Sequence, residues 1–146
     1  MRLIALTAAL SFVLAAAHQP RSARAAMDGL VTREEALRIV ETPLEKTIGH
    51  AEADRVQRVA VANALLEHCR LDWGRLFQAL TAYHRHHRRR SETEMSRITV
   101  WHGAWQGHAL DILRRERPTC DEGMCRVALG SAARQLQALA PGGGDT

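Results

Sequence analysis

The sequence predicts an all-α domain, a small antiparallel helical bundle of four to five helices preceded by a cleaved signal peptide. Three observations predict it. Apolar residues recur at helical spacing along most of the chain after residue 30. Val, Ile and Thr never alternate with polar residues over a strand's length, and no Asn-Gly hairpin signal occurs. Four segments open with a Ser or Thr three residues ahead of a Glu, the spacing of a capping box.

The chain starts with a positive Met1-Arg2, an uncharged run from Leu3 to Ala17, and the small-x-small site Ala23-Arg24-Ala25. Together these read as a secretory signal peptide, residues 1–25, cut after Ala25, with Ala15-Ala16-Ala17 as a weaker site. The apolar run falls short of the ~20 residues that span a bilayer, and later apolar stretches are shorter or interrupted, so no stable transmembrane anchor is expected. Loss of Arg2, Arg21 and Arg24 turns twenty basic residues into seventeen against sixteen acidic, so the formal charge falls from +4 to +1. The basicity of the whole chain is therefore no sign of a nucleic-acid partner. What remains, residues 26–140, is one helical domain long enough to bury a core, followed by a tail, 141–146, in which Pro141 and three glycines predict disorder.

The first helix opens at Thr32 with Glu35 closing its box, and must stop before Pro43, which disfavours α geometry in the residue ahead of it. A short piece follows, with Thr42 as cap, Pro43 in the first position and Gly49 as its end. From Ala51 to Cys69, Val56, Val59, Asn63, Leu66 and Cys69 form one stripe and Val61 and Leu65 a second. Asp72 is placed to cap the next helix, whose stripe is Trp73, Leu76, Phe77, Leu80, Tyr83, His84 and His87. Ser91 and Glu94 then open a long helix through Leu113, read as the central one because two faces are apolar or small. Met95, Ile98, Trp101, His102, Trp105, Ala109 and Ile112 fill one face, and Gly103, Ala104 and Gly107 are expected to admit a close neighbour on the other. Thr119 and Glu122 open the last helix, with Cys125, Ala128, Leu129, Ala132, Leu136 and Leu139 on one side.

Three groups of residues are candidates for function. The run His84-Arg85-His86-His87-Arg88-Arg89-Arg90 places cations at a helix C-terminus, where the macrodipole favours them by ~0.3–1 kcal/mol each. A solvated helix end is the plain reading, and contact with an anionic surface is the functional one. His84 and His87, three apart, would share a face and form at most a weak metal pair, with no third ligand in reach of the hairpin. His102, between two tryptophans, and Asn63, on an apolar stripe, are expected to be buried polar groups with hydrogen-bond partners. His102 is also the one imidazole around which an enzyme could be built. Cys69, Cys120 and Cys125 suggest one disulfide and one odd thiol in an oxidising compartment. Cys69 ends one helix and Cys120 opens another at the same end of the bundle, so these two are the expected pair, with Cys125 the alternative to Cys120. A bond between Cys120 and Cys125 is disfavoured on the assumption that both lie along one helix, where five residues rise ~7.5 Å.

Phosphate loops, zincin and EF-hand patterns and nucleophile elbows are absent from the sequence, so neither a catalytic residue nor a cofactor is expected. Function is then expected to be that of an exported, non-enzymatic binding module of a bacterial envelope, periplasmic or secreted, whose partner is a protein or another envelope component. The alternatives are a ligand- or metal-binding protein using residues 84–90 and an enzyme centred on His102.

Overall fold

The computed structural model describes residues 32–140, and residues 1–31, with the expected signal peptide, and 141–146, the expected tail, lie outside the described residues. All regular structure among the described residues is helical: α1 (Arg33–Val40), α2 (Glu45–Ile48), α3 (His50–His68), α4 (Gly74–Ala82), α5 (Glu92–Glu116) and α6 (Glu122–Leu139). That is six helices instead of four to five, because the piece after Pro43 forms a helical turn of its own and α1 stands apart from it. α4 runs on into a π turn, Tyr83–His87.

Two capping boxes form where the sequence places them. Thr32 and Glu35 close the start of α1, and Ser91 and Glu94 close the start of α5. The other caps shift. α2 starts at Glu45 behind Leu44, without a side-chain cap, so Thr42 does not act as one. Asp121, and not Thr119, caps α6 by accepting the Met124 N–H at 2.8 Å. Asp72 sits one residue ahead of the N-cap position of α4 and accepts the Gly74 N–H at 2.9 Å, an Asx-type turn that still satisfies a terminal amide. Gly49, at φ +88°, ends α2 and starts α3 in a conformation L side chains rarely adopt.

The central helix is α3 and not α5, which corrects the sequence expectation. α3 packs against α2, α4, α5 and α6. It buries Ala53, Val56, Val59, Ala60, Ala62, Ala64 and Leu66 on more than one side, and its four buried alanines leave room for neighbours all round. Val61 is the exception and is exposed. Leu44 and Ile48 from α2, Leu76 and Leu80 from α4, Met95 and Ile98 from α5, and Ala128, Ala132 and Leu139 from α6 complete the core. Leu129 lies outside it, 54% exposed, because one residue beyond Ala128 is a turn of ~100° away from the packed face.

Cross-helix contacts fix the directions. Asn63 meets His102, and one turn on Glu67 meets Gln106, so α3 and α5 run parallel. Arg55 donates to the Ala138 carbonyl at 3.0 Å, while Cys69 bonds Cys120 at the other end, so α6 is antiparallel to α3. The small face of α5 does not receive a close neighbour at Gly107, which is exposed and has nothing within 4 Å of a Cβ built on it. Gly107→Ala is therefore expected to raise stability by ~0.4–1 kcal/mol, read from the urea midpoint. A fall in stability would show that this face is packed.

Candidate functional site at the cationic end of the bundle

α4 buries Leu76, Leu80 and then His84 at helical spacing, so His84 continues the core stripe. The π turn then widens the backbone, with the Arg88 N–H donating to the Tyr83 carbonyl at 3.1 Å, and the face rotates. His84 ends fully buried and His87 exposed, stacked on Tyr83 with ring centroids 5.9 Å apart. The expected sharing of one face by His84 and His87 is thereby corrected, since it assumed regular α geometry. Arg89, at φ +50°, turns the chain toward α5.

His84 rests on a buried carboxylate that the sequence reading passed over. Glu52, in the first turn of α3, lies 3.9 Å from His84 Nδ1 and 3.5 Å from both Arg55 Nε and Arg88 Nε, and it accepts the Tyr83 hydroxyl at 3.4 Å. Extending the stripe Val56, Val59, Asn63, Leu66 one turn backward lands on Glu52, so periodicity could have found it. The Arg55 guanidinium also covers the Tyr83 ring, 4.8 Å from its centroid. Burial first, then the charge of Glu52, raises the Tyr83 phenol above its ordinary pKa and keeps it a donor.

Burial, reinforced by Arg90, Arg55 and Arg88, lowers His84 from 6.5 to about 4, so its imidazole is neutral in ordinary buffers. Arg90 is turned inward: it donates to the Ile48 carbonyl at 3.0 Å and to Glu94 at 2.9 Å, and its side chain is only 17% exposed. Glu94 is held below the usual carboxylate range by the Ser91 N–H and hydroxyl, with Arg90 adding to the effect. Of the seven residues in the run, His84 is fully buried and cannot touch a large surface, a correction to the expected contact set, and Arg90 is mostly engaged inward. Arg85, His86, His87, Arg88 and Arg89 are exposed. Arg85 leans toward Glu92 at 3.5 Å with its side chain 53% exposed, a loose pair of small energy.

The other candidates lie elsewhere. Asn63 and His102 meet in the core, the Asn63 amide 3.1 Å from His102 Nε2, and Phe77 closes the far side at 4.7 Å between centroids. Burial lowers His102 to about 4, so it stands as a neutral acceptor for the Asn63 amide. Gln106, unremarked in the sequence, is also buried and donates to Glu67 at 2.7 Å, which makes a two-rung polar ladder between α3 and α5. Such a ladder fixes the register of two helices, since a shift of either leaves buried polar groups unpaired.

Cys69 and Cys120 form a disulfide with Cα atoms 5.1 Å apart, and Cys125 is free. Among the described residues, the group with sulfur, imidazole or carboxylate atoms spaced for a metal ion is Cys69, Cys120 and Cys125, and two of these sulfurs are spent on the disulfide. Comparison of the chain with protein-family models, with curated proteins and with solved structures finds no match.

Proposed function

We propose that this chain is an exported, non-enzymatic helical module that docks by its cationic end onto an anionic surface of the cell envelope, one presenting phosphate-bearing headgroups. The observation that carries the reading is the exposure of Arg85, His86, His87, Arg88 and Arg89 together beside a buried base. The base is the buried His84 ring beside Glu52, and Arg90 with its bonds to Ile48 and Glu94. A solvated helix end needs no such anchoring.

Export is supported by the Met1 to Ala25 pattern and by the Cys69–Cys120 bond, which suits an oxidising compartment. No helix among the described residues is long and apolar enough to cross a membrane, so attachment would be peripheral. The non-enzymatic reading is supported by His102, which is 2% exposed, neutral, and bonded to an amide instead of an acid or a nucleophile.

An arginine near an anionic leaflet contributes ~1 kcal/mol. Arg85→Gln with Arg89→Gln spares the contacts of Glu52 and is expected to weaken binding to phosphatidylglycerol vesicles by roughly thirtyfold, with a smaller loss in high salt. Unchanged affinity in the double variant would remove the cationic end from the function.

A further inference from the structure

The free thiol of Cys125 lies 3.2 Å from Cys120 Sγ, and the three cysteine sulfurs are all within 4.8 Å of one another. The assumption that Cys120 and Cys125 are spaced along one helix fails here. α6 begins at Glu122, and the extended backbone of its cap, Asp121 at φ −85° and ψ 175°, puts Cys120 outside the helix. The chain doubles back at that cap, so the Cys120 side chain meets Cys125 in the first turn. A separation of about 3–3.5 Å is within reach for attack, which needs the Cys125 sulfur to come in line with the bond that breaks.

We propose that Cys69, Cys120 and Cys125 form a thiol–disulfide exchange site, in which Cys125 attacks Cys120 Sγ and moves the disulfide from Cys69–Cys120 to Cys120–Cys125. The Cys125 thiol gives up its proton, its sulfur bonds Cys120 Sγ, and the Cys69–Cys120 bond breaks with the electron pair leaving on Cys69. Cys69 then takes up a proton, so one S–S bond and one thiol are present before and after, and neither oxidant nor reductant is consumed. The positions of the two bonds differ in what they join. Cys69–Cys120 ties the end of α3 to the approach of α6 across 51 residues, whereas Cys120–Cys125 would close a loop within the start of α6 alone. Exchange would therefore unclip the two helices covalently and present the thiol of Cys69, which is half-buried at the C-cap of α3.

The test is slow alkylation of the native, oxidised chain with iodoacetamide at mildly alkaline pH, followed by acid quenching and peptide mapping without reduction. The proposal expects one label per chain, divided between Cys125 and Cys69. Chains labelled on Cys69 would carry the Cys120–Cys125 bond, in a proportion that does not change on dilution of the protein. In Cys125→Ser the label on Cys69 should vanish. In Cys69→Ser, exposed to oxidised glutathione, Cys120 and Cys125 should become joined. Label on Cys125 alone in the wild type, a Cys69 label that persists in Cys125→Ser, or a Cys69 share that falls on dilution each overturns the proposal.

Discussion

Lowering the pH from about 7 to about 4 is expected to remove on the order of 6 kcal/mol of folding stability, ~3 from each of two buried histidines. His84 and His102 are both lowered from 6.5 to about 4 in the folded chain, His102 by burial and His84 by burial together with Arg90, Arg55 and Arg88. The unfolded chain takes up a proton on each near pH 6.5. Between about 4 and 6.5 it therefore binds more protons than the folded chain, and stability falls as pH falls through that window. Above about 6.5 neither histidine contributes to the slope. Glu94 and Glu35, whose pKa values are lowered by Ser91 and Thr32 respectively, extend the loss further into acid. Urea unfolding across this range checks it, with His102→Gln expected to remove about half of the slope between 6.5 and 4. A flat profile would mean that the two imidazoles are hydrated in the folded state.

Reduction of the Cys69–Cys120 bond is expected to cost ~4 kcal/mol, since a cross-link over 51 residues removes that much chain entropy from the unfolded state. The comparison is urea unfolding with and without a dithiol, with Cys69→Ser/Cys120→Ser as the genetic equivalent. Buried contacts along α3, from Val56 to Leu66, should hold the reduced chain folded but with an earlier midpoint. Equal midpoints would mean that the bond adds nothing the core does not already supply.

Much of this architecture was legible because it rests on local chemistry. Ser91 and Glu94 mark the start of α5 by themselves, and Gly49 ends α2 through its positive φ, although α2 starts at Glu45 and not at Pro43. The disulfide was legible from topology as far as joining Cys69 to the start of α6, since alternation of helix direction brings Cys120 and its alternative Cys125 to that end, and the structure selects Cys120. What escaped is what depends on neighbours. α5 looked central because its glycines suggest close approach, but the alanines of α3 are what the packing uses. Glu52 and Gln106 sat on apolar stripes and were passed over because polar residues seldom continue a buried face without partners, and their partners, His84 and Glu67, are remote in sequence. The π turn has no sequence mark, and it alone separates His84 from His87. Asn63 and His102 were each legible as buried polar groups, but their meeting required the parallel pairing of α3 and α5.

The central claim is that the exposed arginines between His84 and Arg90 meet an anionic surface. Its most direct measurement is co-sedimentation of the chain from Ala26 onward with two vesicle preparations at low and physiological salt, one of phosphatidylcholine and one enriched in phosphatidylglycerol. The account predicts binding to the phosphatidylglycerol vesicles alone, weakening steadily as salt is added. Equal binding to both preparations, or none to either at low salt, would contradict it.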